Sequence, residues 1–123
     1  MPELRLAALG ALNALISVAA GAFGAHALRD RLSERNFEIF ETAARYQMYH
    51  ALGLFAAAWL ASRGVGLATT GGWIMLGGIV VFSGSLYALA LTDVKWLGAI
   101  TPLGGLAFLI SWALLAIAAW RAT

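Results

Sequence analysis

No cysteine occurs in this chain. Disulfides, zinc–thiolate sites, iron–sulfur clusters and thiol catalysis are thereby excluded, and the redox compartment is left open. Charge is almost as scarce. Only 11% of the 123 residues are charged, against 62% hydrophobic, whereas a soluble domain carries about a quarter charged residues and under half apolar. Too little polar surface exists to cover a soluble fold, so the composition points to one small membrane domain. The formal net charge is only +2 and no basic run occurs, which argues against a nucleic-acid partner. Enzyme signatures are missing too: there is no G-x-S-x-G, H-E-x-x-H, P-loop or Rossmann fingerprint. The Gly71-Gly72 and Gly77-Gly78 doublets fall inside an apolar run and suit packing, not phosphate binding. Two histidines 24 residues apart, His26 and His50, with no cysteine or third histidine, make a weak metal or haem signal. No enzyme activity, catalytic residue, metal or cofactor is therefore expected.

What is present is apolar length. A helix needs about 20 residues to cross a hydrocarbon core about 30 Å thick. Leu6–Ala25, Thr70–Leu91 and Thr101–Trp120 qualify. The first exceeds a signal-peptide core of about 7–15 residues and is expected to be a retained helix. Thr101-Pro102 suggests an N-cap followed by the first helical position, with Trp96 and Trp120 as interfacial anchors. The clean run Ala51–Ala61 spans only about 16 Å as a helix and must borrow upstream residues, from Ala43 to Ser62. That draws Arg45, Tyr46, Gln47, Tyr49 and His50 into the membrane, with His50 about 10 Å below the surface. The expected fold is all-α: a four-transmembrane-helix bundle in a single domain, with spans at about 4–26, 43–62, 70–91 and 100–120.

Between the first two spans, "RDRLSERNFEIFETAAR" sets Phe37, Phe40 and Ala44 on one face and Glu34, Glu38, Glu41 and Arg45 on another. This predicts an amphipathic helical segment, capped by Ser33 and with a Glu41–Arg45 pair. Four spans put both termini on one side. Arg29, Arg31, Arg35, Arg45 and Lys95 then face Arg5, Arg63 and Arg121 across the bilayer, which favours cytoplasmic first and third loops.

Each span also carries small or polar residues at helical spacing, suited to close packing in lipid. These are Gly10, Asn13, Ser17, Gly21 and Gly24; Gly53; Gly71, Gly78 and Ser85; and Gly105. Asn13 is expected to find an interhelical partner. Polar residues within a membrane are functional candidates by default. Here His26, Glu41, Arg45, Tyr46, Tyr49, His50 and Asp93 all belong to one membrane side and form the candidate ligand-binding set, with Glu41, Asp93 or a tyrosine hydroxyl as partners for the deepest members, Arg45 and His50. They cross-link the bundle or line a one-sided cavity for a small molecule or proton.

"GAFGAHAL", "FETAARYQMYHALGL", "FSGSLYALAL" and "TPLGGLAFLISWALL", in this order, resemble the small membrane proteins grouped as domain of unknown function 423. His26, Tyr46, Tyr49, His50, Ser83, Ser85, Tyr87, Pro102, Gly104 and Gly105 occupy the positions that carry the resemblance. It implies a four-helix integral membrane protein and supplies no activity. The expectation is a component of a bacterial inner membrane, in contact with the lipid bilayer, acting as a homo-oligomer or as a subunit of a larger complex. The alternative is a small-molecule or proton-coupled carrier with a polar cavity near His50.

Overall fold

The glycines after Leu6–Val18 widen the first helix without ending it. In the computed structural model, which describes all 123 residues, helix α1 runs from Pro2 to Leu28. It is α-helical to Val18, passes through a π-helical stretch at Ala19–Gly24, and resumes as α-helix at Ala25–Leu28. Gly24 keeps helical angles, φ −63° and ψ −43°. The chain therefore does not break there.

A short turn leads to α2, Glu34–Ser62. The Ser33 hydroxyl accepts from the Asn36 amide at 3.1 Å, the expected cap. The charged stretch before Arg45 and the apolar stretch after it form one continuous helix, with Asn36, Phe40, Ala43 and Ala44 buried. Replacing Ser33 with alanine should cost about 1 kcal/mol. The checks are the thermal midpoint and faster amide exchange confined to the first turn of α2.

Gly64, at φ +83°, turns the chain into α3, Gly66–Thr92. Asp93 ends α3 at φ 58° and ψ 21°, a left-handed conformation that aspartate tolerates better than most residues. A 3-10 turn at Lys95–Ala99 precedes α4, Thr101–Arg121. Thr101 does not act as the expected N-cap: Ile100 holds that position and no side chain caps the helix. The Thr101 hydroxyl is instead paired with Ser85 of α3, 2.5 Å away.

The fold is all-helical, and three of its helical stretches, Pro2–Leu28, Gly66–Thr92 and Lys95–Arg121, are long and apolar enough to cross a membrane. Arg45, Gln47 and His50 interrupt the apolar residues of α2. That helix nevertheless has the most buried residues of the four. It packs along α1 and α3, α3 packs along α4, and α1 does not meet α4. Leu6, Leu54, Ala57, Met75, Phe108 and Leu115 share the core.

The small residues set how closely these helices approach. A methyl added at Gly10 would lie 3.0 Å from the Ala51 carbonyl oxygen, and one at Gly24 would lie 3.0 Å from the Phe40 ring. Gly53 faces Met75 and Trp112, Gly71 faces Leu115, and Gly78 faces Phe108. Gly21 is exposed, with only the Ala44 methyl near it, at 3.9 Å. Gly105 is not the close contact of α4. The Phe82 ring is 3.9 Å from where its methyl would be, whereas a methyl at Gly104 would lie 2.5 Å from the Phe82 backbone nitrogen.

Candidate functional site

Serines and amides set the register of α1 and α3 against α2. The Ser17 hydroxyl of α1 donates to the Ala44 carbonyl at 2.6 Å, and the Ser83 hydroxyl of α3 donates to the Ala43 carbonyl at 2.8 Å. Both serines lie within one helical turn of the middle of their apolar runs, Leu6–Ala25 and Thr70–Leu91. Residues 43–45 of α2 are therefore level with those middles.

One turn along α2, a chain of side-chain bonds crosses three helices. The Tyr87 hydroxyl donates to Gln47 Oε1 at 2.8 Å. Gln47 Nε2 donates to Asn13 Oδ1 at 2.9 Å, and Asn13 Nδ2 donates to the Leu9 carbonyl at 2.8 Å. The tyrosine ring at position 87 leans toward the N-terminus of its own helix, as helical side chains do, which is how it reaches Gln47. The chain has one direction and ends on a backbone carbonyl. Neither amide titrates near neutrality, so the arrangement ties helices together and is no proton wire.

His50 occupies the other side of α2, against α4. Its Nδ1 is 2.7 Å from the Tyr46 carbonyl oxygen. A carbonyl only accepts, so Nδ1 carries the proton in this bond. The ring lies flat on Phe108, with centroids 3.4 Å apart and planes at 5°, and Trp112 is close by at 5.9 Å. The expected partners for His50, namely Glu41, Asp93 or a tyrosine hydroxyl, are replaced by a carbonyl of its own helix and an aromatic ring. A π-stacked imidazole that keeps its bond within the helix satisfies its polar edge without any ion pair.

The seven candidate residues do not converge. Tyr46, Tyr49 and His50 touch: Tyr46 is 5.5 Å from Tyr49 and 6.1 Å from His50, ring to ring. His26 is exposed on the last turn of α1 and does not reach the other histidine, because the uninterrupted helix directs it outward. Asp93 accepts from Asn36 Nδ2 at 3.0 Å, joining the ends of α2 and α3. Arg45 donates to the Thr42 hydroxyl at 3.1 Å in place of the expected pairing with Glu41. No group of three or more histidine, aspartate or glutamate side chains is placed to hold a metal.

The alternative reading places a polar cavity near His50, and none of the three cavities includes that residue. One cavity of about 280 Å³ lies at the α2–α3 end, around Ser33, Asn36, Asp93 and Lys95. An open groove of about 530 Å³ follows the π-helical stretch of α1 along Ala44, Arg45, Met48 and Tyr49. A third, of about 230 Å³, lies between Trp59, Arg63 and Ala119. His50 lines none of them, because Phe108 fills the space a ligand would need. Sequence reasoning missed Gln47, Tyr87, Ser83 and Asn36 as the residues that gather the polar bonds. Gln47 had one available signal: it falls on the same stripe of α2 as the small residues Ala43 and Ala51.

The family described as "Protein of unknown function (DUF423)" matches residues 20–105. The chain is 54% identical over 113 residues to the UPF0382 membrane protein YwdK of Bacillus subtilis, covering 90% of this chain and 92% of that one. It is 53% identical over 110 residues to a UPF0382 membrane protein of Staphylococcus epidermidis, covering 89% and 90%. A UPF0382 membrane protein of Staphylococcus saprophyticus is 47% identical over 113 residues, covering 92% and 94%. No solved structure matches the chain.

Proposed function

The chain belongs to this bacterial membrane-protein family of unknown function, and from that premise we propose a non-enzymatic component that works by lateral association in the bilayer. The observation that carries the reading is where its polar groups are used. No buried side-chain nitrogen or oxygen lacks a hydrogen-bond partner, and the bonds of Ser17, Ser83, Asn13, Gln47 and Tyr87 run from helix to helix. The buried serine hydroxyls donate to carbonyls or meet Thr101, so none is activated by a neighbouring base as a nucleophile would be. The loops are short, which leaves the lateral surface as the place to act.

In this reading all four helices cross. The support is the register of α2 against α1 and α3, which sets residues 43–45 level with the middles of two apolar runs. The crossing segment of α2 is then centred nearer its N-terminus than 43–62 implies, so the amphipathic turns from Glu34 to Phe40 form one end of the span. Both termini lie on the outer side and the more basic loops on the cytoplasmic side. Homo-oligomers are the commonest route to lateral association. Mass measurement in native-lipid nanodiscs should find multiples of 12.9 kDa; monomers in every lipid tested would sink the reading.

His50 is packing in this account. His50→Leu should lower the thermal midpoint by an amount equivalent to about 0.5–1.5 kcal/mol, the worth of an aromatic stack. Proton leak through proteoliposomes should be the same for both proteins. A leak or solute flux that His50→Leu abolishes would instead favour a carrier.

A further inference from the structure

On the outer side of α2, Thr42, Arg45, Tyr49, Leu52, Ala56 and Trp59 follow one another at alternating spacings of three and four. All are exposed except the half-buried Thr42; Tyr49 is 52% exposed and Trp59 61%. None of the other three helices covers this stripe, and its spacing is that of a helix-pairing seam. Its upper half is polar. Arg45 lies one residue beyond Ala44, whose carbonyl takes the Ser17 hydroxyl, so this exposed residue leaves the helix within a turn of mid-membrane. Such a charge is expensive in lipid and calls for a named partner.

The two opposite charges at this level are left unspent within the chain. Glu41 and Arg45 are one turn apart, yet Arg45 gives its one side-chain bond to Thr42. An anionic lipid headgroup would answer Arg45 but repel Glu41. A surface that carries both signs one turn apart can answer itself.

We propose that a second copy of this chain covers the stripe, α2 against α2, about a two-fold axis along the membrane normal, with Arg45 of each copy meeting Glu41 of the other. Copies inserted in the same orientation have parallel α2 helices. On parallel paired helices a residue touches the partner's residues at its own level and one turn to either side. That geometry forms two symmetric arginine–glutamate pairs. It sets small Ala56 at the close approach and leaves Tyr49, Leu52 and Trp59 to exclude lipid around the pairs. The inference rests on the lateral-association reading and specifies its surface.

The natural chain has no cysteine, which makes cross-linking clean. In native membranes under mild oxidation, Ala56→Cys should give a covalent dimer. Leu109→Cys, on a 70% exposed position of α4, should not. Arg45→Glu and Glu41→Arg should each cut the Ala56→Cys dimer about tenfold, and the combined swap should restore it. Helicity and thermal midpoint in detergent show that each variant is folded, and Ala56→Cys is nearly isosteric. Oligomers that cross-link through Leu109→Cys alone would overturn this interface while leaving lateral association standing. A monomer that retains an anionic phospholipid, lost in Arg45→Glu, would overturn both.

Discussion

Replacing Gly104 with alanine should destabilise the bundle, while the same change at the adjacent Gly105 should leave it unchanged or slightly more stable. The difference comes from direction on α4. The new methyl at position 104 would lie 2.5 Å from the Phe82 nitrogen, 2.7 Å from its Cβ and 2.8 Å from its Cα. These are backbone and near-backbone atoms of α3, so no side-chain rotation relieves the clash and the two helices must separate. Overpacking costs about 1–3 kcal/mol, and contact with an immovable backbone belongs at the upper end. The intrinsic gain from glycine to alanine in a helix, up to about 1 kcal/mol, offsets only part of it. Separation would also loosen the Ser85–Thr101 bond one turn away and the Gly78–Phe108 contact, and with it the surface on which His50 stacks. At Gly105 the nearest atoms are ring carbons of Phe82 at 3.9 and 4.0 Å, ordinary contact distance. Thermal or SDS unfolding of the two variants side by side checks the claim. Equal midpoints would mean that α3 and α4 are not in backbone contact.

That pair of glycines also marks how far the sequence could be read. Spacing alone picked out Gly10, Asn13 and Ser17 as one face of α1, and all three are buried, because three- and four-residue steps stay on one side of any helix. The start of α2 was legible from Ser33, since capping is a local bond over three residues. A doublet such as Gly104-Gly105 is different. Its members point about 100° apart, and which one meets Phe82 depends on the rotation of α4 against α3, a tertiary quantity. Thr101 failed as a cap for a related reason: a cross-helix partner, Ser85, competes for its hydroxyl.

The candidate site was harder still to foresee. Titratable residues attract suspicion in an apolar chain, and so His26, Glu41, Arg45 and Asp93 were singled out. The residue that joins three helices is Gln47, an amide with no charge to draw attention. Its role depends on Asn13 and Tyr87 arriving at its own depth, which requires the antiparallel register set by Ser17 and Ser83. His50 is buried within the fold. What sequence could not supply was Phe108, 58 positions away, lying flat against the imidazole.

Gln47→Met should be the most damaging polar substitution in the chain, because Gln47 stands in the middle of the cross-helix bonds rather than at an end. Methionine keeps the length and apolar fit, so the loss is polar. It removes two interhelical bonds at once and strands Asn13 Oδ1 and the Tyr87 hydroxyl away from water. Within bilayers such bonds are worth about 0.6 kcal/mol on average and up to about 1.7, so two predict a loss of about 1–3 kcal/mol, with the stranded groups pushing toward the upper value. Tyr87→Phe removes only the outer bond, leaves Gln47 still joined to Asn13, and should cost about half as much. The decisive measurement is the double variant. If Asn13 and Gln47 act as a pair, Asn13→Leu combined with Gln47→Met should cost less than the two single losses added together, since replacing both partners leaves neither unsatisfied. Strict additivity would show that the bond between α1 and α2 contributes nothing, and that Ser17 with the glycine contacts holds these helices alone. A coupling above about 0.5 kcal/mol would identify the amide chain as what fixes α2, the least apolar of the four helices, between its neighbours.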